Sequence, residues 1–330
     1  MAQARHRPGL RPLGALVAAA LGAACASGGG DLAARFPALR SIGGQRLADA
    51  HPYVLPREGE VVLFLCRWSA SAPIPVSLPP DASAEERGAL EAALHAWEGA
   101  GLGVRFTEVG AERAAIRIAL EEGPVRTGAG LDTGNTVADC RLAPLSQQGG
   151  VAVRAELVGA AIRLARHTNP DWQDHARALT PAELAGSALH ELGHALGFEG
   201  HARQGDTVMV REVEVVQHAG RDLLAGEPFS DATLRALYAL PSGAVVSRAP
   251  VGAARTEEVD RMARLAEREG LDGPYARVGE SAARLWWRDG AGNEYGFLVP
   301  KLPALVRDPQ TLALLPESRT RDALARAGGS

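Results

Sequence analysis

His190-Glu191-Leu192-Gly193-His194-Ala195-Leu196-Gly197-Phe198-Glu199-Gly200-His201 is the stretch on which the reading of this chain turns. Histidines four apart on a helix stand on one face, one turn above the other, so His190 and His194 can reach a single ion. Imidazole nitrogen suits zinc, and a catalytic zinc takes three protein ligands and keeps one position for water. Gly197 stops the helix and lets the chain turn back, which brings His201 up as a third ligand. Glu191 adjoins the first histidine. From there it can take a proton from an attacking water and return it to a leaving amine. A chance match is the alternative, and the third histidine together with the glycine stop argues against it.

Working outward, Thr180-Pro181-Ala182-Glu183 is a helix start. Thr180 caps, Pro181 suits the first helical position, and Glu183 completes a capping box. The predicted helix runs through Leu184, Leu189, Leu192 and Leu196. Upstream, 61–66, 74–78, 104–109, 114–120 and 151–164 read as strands. Asp81 or Ser83 caps a helix carrying Leu90, Leu94 and Trp97, which ends at Gly99, Gly101 and Gly103. Residues 121–150, rich in Gly, Thr and polar residues, read as an irregular or edge segment. Downstream, 229–240 reads as a helix capped by Ser230, and 255–270 as a highly charged helical stretch. Leu285-Trp286-Trp287 and Tyr295-Gly296-Phe297 flank a hairpin turn at Asp289-Gly290-Ala291-Gly292. The tryptophan pair is expected to place one ring in the core and leave the other partly exposed. This order predicts an α/β (α+β) fold, a twisted mixed sheet with an active-site helix and a C-terminal helix.

The motif resembles the metzincin signature H-E-x-x-H-x-x-G-x-x-H, and within that clan the matrixin-like zinc peptidases of bacteria. Asp206-Thr207-Val208-Met209 follows at about the separation of the clan's methionine turn. The resemblance covers roughly residues 60–243. It implies a metzincin-like zincin domain with one catalytic Zn2+ on His190, His194 and His201. Glu191 would be the catalytic base, Gly197 the helix stop, and Met209 a support beneath the metal that does not bind it. The implied activity is that of a zinc endopeptidase acting on protein or peptide substrates. Three residues separate Gly197 from His201 where the signature has two. Gly200 is placed to absorb the extra one, and Glu199 and Asp206 are the alternative ligands. Val210 stands where matrixins often carry tyrosine, and no cysteine-switch propeptide is visible. Structural calcium finds no acidic cluster, since Asp132, Asp139 and Glu156 read as solvated residues. Two other functions fit H-E-x-x-H alone: an inactive metal-binding interaction module of the envelope, and a small-molecule zinc amidase. The intact Glu191 argues against the first, and the methionine turn with the third histidine against the second.

A net charge of −4 and 5% aromatic residues give no sign of a nucleic-acid partner, and none is expected. Arg5, His6, Arg7 and Arg11 precede a short apolar run, 13–24, followed by Gly and Ser, which is the pattern of an export signal. Leu21-Gly22-Ala23-Ala24-Cys25 is similar to a bacterial lipobox with Cys25 lipidated, and Ala24-Cys25-Ala26 also fits a small-x-small cleavage site. The expected location is therefore the cell envelope, attached through an N-terminal lipid, or the exterior. In an exported chain Cys66 and Cys140 either pair or remain two buried thiols. The expected organisation is a signal over 1–26, a linker over 27–59, a catalytic domain over 60–243 and a C-terminal extension of unassigned role over 244–330. A monomer is expected. His167, His175 and His218 read as isolated surface or loop histidines.

Overall fold

A computed structural model of the chain describes residues 53–69, 71–127, 131–143, 154–168, 177–202, 207–278, 282–300 and 314–328. The signal, Cys25, His175 and Asp206 lie outside these residues. The first element is a hairpin of β1 (Tyr53–Arg57) and β2 (Glu60–Phe64). Glu58 (φ 51°) and Gly59 (φ 78°) form its tight turn, with positive φ at both central residues. Residues 53–59, expected to end a linker, are thus folded.

β3 (Ile74–Ser77), α1 (Ala84–Gly99), β4 (Phe106–Glu108) and β5 (Ile116–Glu121) follow, and β3 lies parallel to both β4 and β5. Ser83, not Asp81, caps α1: its hydroxyl accepts from Glu86 N, and Glu86 returns a bond to Ser83 N. A short ribbon, β6 (Val125–Arg126) with β7 (Leu131–Asp132), precedes β8 (Gly134–Ala143). β9 (Arg154–Ala165) lies between β5, to which it is parallel, and β8, to which it is antiparallel.

β8 corrects the reading of 121–150 as irregular. Ala138, Cys140 and Leu142 point inward and are buried, while Asn135, Val137, Asp139 and Arg141 alternate outward. The inward residues are small, so their alternation carries little hydrophobic contrast. Cys66 and Cys140 are joined in a disulfide with Cα atoms 6.3 Å apart, which ties the chain after β2 to β8.

α2 (Pro181–Ala195) crosses beneath the sheet, followed by α3 (Val213–Leu224) and α4 (Ala232–Tyr238). The helix expected over 229–240 is the shorter α4, capped by Asp231, whose carboxylate accepts from Leu234 N (2.9 Å), rather than by Ser230. α3 was not foreseen. Val213, Val215 and Leu224 are exposed, and it meets α2 through glycine. A Cβ on Gly220 would lie 2.0 Å from Ala182 O, and one on Gly186 would lie 2.2 Å from Val216 O. The two backbones touch, so no apolar periodicity marks this contact.

The remaining chain continues the same architecture. β10 (Val245–Pro250) pairs with β2, completing the sheet β1-β2-β10. After α5 (Glu257–Glu269), which Gly270 ends at φ 67°, come β11 (Asp272–Val278), β12 (Ala282–Arg288), β13 (Glu294–Pro300), β14 (Leu315–Pro316) and α6 (Ser318–Gly328). β11 pairs antiparallel with β8 from Ala138 to Arg141. One nine-stranded mixed sheet results, ordered β14-β13-β12-β11-β8-β9-β5-β3-β4. Both Trp286 and Trp287 are buried, which corrects the expected exposed ring. Trp286 stacks on Tyr275 at 4.5 Å, and the guanidinium groups of Arg277 and Arg284 lie over it.

Candidate metal centre

The site begins with a strongly anchored helix start. Thr180 Oγ1 accepts from Glu183 N, and Glu183 accepts from Thr180 N (2.9 Å). Arg177 grips the same carboxylate with two bonds of 2.8 and 2.6 Å. The guanidinium, with help from Thr180, holds the Glu183 carboxyl at about 2 against the opposing effect of burial. A carboxyl lowered on folding stabilises the fold above its unfolded value of 4.5 and loses that contribution as pH falls toward 2. Glu183→Gln is therefore expected to cost roughly 1–2 kcal/mol at neutral pH, Arg177 being half exposed and screened. In urea melts against pH, the gap between wild type and variant should be constant above 4.5 and close by about 2.

At its other end α2 stops in a Schellman turn. Gly197 N bonds His194 O (2.9 Å) and Phe198 N bonds Gly193 O (3.1 Å). The positive φ falls at Gly197 (113°) and not at Gly200. Gly197 is further required because a Cβ there would lie 2.4 Å from Cys66 O. The chain returns so that three imidazoles meet: His190 Nε2 lies 3.1 Å from His194 Nε2 and 3.2 Å from His201 Nε2.

His190 Nδ1 faces Val208 O (2.7 Å) and His194 Nδ1 faces Phe198 O (2.5 Å). A carbonyl accepts only, so both rings carry their proton on Nδ1 and turn the Nε2 lone pair toward the centre. Burial lowers the His190 pKa and favours the neutral ring that a metal needs. Facing lone pairs at this separation call for a cation between them. Ligand nitrogens about 2.0–2.1 Å from one zinc in a tetrahedral set stand slightly over 3 Å apart, so the donor set fits zinc. Among the described residues, this triad is the one group of three or more His, Cys, Asp or Glu side chains drawn close enough to hold a metal.

Glu191 is 6% exposed. Thr136 Oγ1 lies 2.6 Å from its Oε2 and 3.0 Å from its backbone oxygen, so β8 orients the carboxylate. Gly134 gives it room, since a Cβ there would come within 2.6 Å of Glu191 Oε1. Met209 is fully buried against α2, where a Cβ on Gly193 would fall 2.2 Å from its sulfur. Its turn is closed by Ala202 N to Met209 O (2.7 Å). Thr207 Oγ1 accepts from Met209 N (3.1 Å) and donates to the buried Asp231 carboxylate. Glu199, an alternative ligand on sequence grounds, instead accepts from the Tyr53 hydroxyl. Burial raises the Glu199 carboxyl to about 8, with the Tyr53 bond acting against that rise. Asp139 pairs with Arg277 (2.7 Å), and Asp132 bonds the adjacent Thr133 N (2.7 Å).

Sequence reasoning missed Thr136, Gly134 and Tyr53. The first two sit in the strand read as irregular. Tyr53 opens an apolar run that returns at Val61 across a Glu-Gly turn, a hairpin signal that was available. No curated protein matches the sequence. The family model of the matrixin peptidases matches residues 76–225, which include the three histidines, Glu191 and Met209. Over that segment, a little under half of the chain, the sequence is similar to the matrixin peptidases.

Proposed function

We propose that this chain is a zinc-dependent endopeptidase with Glu191 as its general base. The observation that carries the reading is the convergence of His190, His194 and His201 beside a buried carboxylate that is itself oriented by Thr136. The matrixin match supports a metalloprotease with protein or peptide substrates. Zinc held by the three imidazoles would supply Lewis-acid polarisation of the scissile carbonyl and acidify a water. The two Nδ1–carbonyl bonds keep His190 and His194 in the metal-binding tautomer. Glu191 takes the proton of the attacking water on its carboxylate and delivers it to the leaving amine nitrogen. Thr136 holds the Glu191 carboxylate in one orientation throughout, and Met209 packs against Gly193, between the first two histidines of α2. We also infer export. The Cys66–Cys140 bond suits an oxidising compartment, and 1–26 has the pattern of a signal ending near Cys25. Mass spectrometry of the mature N-terminus separates a lipidated Cys25 from plain cleavage.

Removal of the metal tests the activity. The purified chain should cut casein, lose that activity with 1,10-phenanthroline, and regain it with stoichiometric zinc. Zinc binding without cleavage of casein or of shorter peptides would reject the endopeptidase reading and favour the inactive binding module.

A further inference from the structure

The turn between the second and third histidines is held at successive residues, and most of its holders come from outside residues 76–225. Trp68 Nε1 donates to Ala195 O (2.8 Å). The Tyr238 hydroxyl donates to Leu196 O (2.8 Å). The Cys66 carbonyl abuts Gly197. The Tyr53 hydroxyl donates to the Glu199 carboxylate. Tyr53, Cys66 and Trp68 precede the matched segment and Tyr238 follows it.

Of these contacts, the one from Tyr53 lies nearest to the third histidine in the chain. The span from Gly197 to His201 is one residue longer than the signature, so it carries one more pair of free torsions. Glu199 sits in the middle of that span. Tyr53 is 1% exposed and its ring stacks on Phe64 at 5.8 Å and 28°, so the hydroxyl is aimed from a fixed base. Phe64 ends β2, and Cys66, two residues on, is the residue that abuts Gly197. The β1–β2 hairpin and the residues just after it therefore meet the long turn both at its start and at its centre.

We propose that Tyr53 is a positioning residue for His201, fixing the lengthened turn through Glu199 so that the third imidazole is presented to the metal. This rests on reading the triad as a zinc site. Tyr53→Phe removes one hydroxyl and keeps the ring. Zinc affinity of the full chain, measured by chelator competition at pH 7, should fall on the order of tenfold. The visible spectrum of the cobalt-substituted protein should change with it, while the metal-free protein still unfolds cooperatively in urea. Glu199→Gln, which keeps an acceptor for the phenol, should remain close to wild type in affinity.

Unchanged affinity in Tyr53→Phe would overturn the proposal, as would a loss of metal-free stability with no change in affinity, which is the mark of a purely structural contact. If wild type binds no zinc, the metal reading fails and this proposal with it. If wild type binds and Tyr53→Phe binds equally, only this proposal fails. Should Tyr53→Phe not fold, Glu199→Leu reads the same bond from its other side: weakened zinc supports the proposal and unchanged zinc overturns it.

Discussion

Replacing Glu191 with Gln is expected to lower kcat/KM for peptide cleavage by about 10²–10⁴-fold while zinc affinity stays within a few-fold of wild type. The separation of the two effects follows from the geometry. Glu191 stands beside the ligand cage, whose convergent nitrogens belong to His190, His194 and His201. The amide fills the same space next to Gly134 and can still accept from the Thr136 hydroxyl. What it cannot do is take a proton at neutral pH. A fluorogenic peptide assay beside a chelator competition measures both quantities on one preparation. Activity within a few-fold of wild type at equal zinc loading would remove Glu191 from the role of base. Thr136→Val keeps the β-branched shape and loses the hydroxyl. Its expected effect is smaller, on the order of tenfold in kcat/KM, because the base is still present and only its aim is loosened.

The helix that carries this chemistry was legible in the sequence because its determinants are local. Thr180, Pro181 and Glu183 start it, Gly197 stops it, and the four-residue spacing of His190 and His194 places both on one face. The sheet behind it was only partly legible. β5 sets Ile116 and Ile118 about Arg117, and β9 carries Leu157, Ile162 and Leu164 beside Glu156 and Arg163, so both read as strands. β8 buries alanine, cysteine and a single leucine, so its pattern is almost silent, although it supplies Thr136 to the base and Cys140 to the disulfide. α3 was hidden for a related reason, since its contact is a missing side chain at Gly220 rather than an apolar stripe. Thr136 lies 55 residues from Glu191 and Tyr53 lies 146 residues from Glu199. No local rule reaches across those separations. Such partners emerge only once the sheet order is known.

That sheet order also bears on the C-terminal quarter of the chain. A chain ending at residue 244 is expected to give no cooperatively folded protein, although it keeps every residue of the proposed metal site. β10 forms one flank of β2, and β11 covers β8 over Ala138–Arg141, the stretch that contains the disulfide cysteine. β1 packs on β11, β12 and α5, and this cover keeps Tyr53 and Val54 at 1% and 4% exposure. Loss of the extension would strip two strand edges and uncover this apolar surface. Each large apolar side chain exposed costs about 1.5–3 kcal/mol, against a total stability of roughly 5–15 kcal/mol. Exposed edges of β2 and β8 would also invite pairing between chains. Soluble yield and a urea melt of residues 27–244 beside 27–330 decide the matter. A cooperative melt for the shorter chain would show the extension to be a separate module resting on a self-sufficient domain. Failure to fold would mean that the matched segment borrows its sheet edges from 245–328. The consequence would reach the metal as well, because the strand carrying Tyr53 is held in place by β11, β12 and α5, and Tyr53 holds the turn that ends in His201.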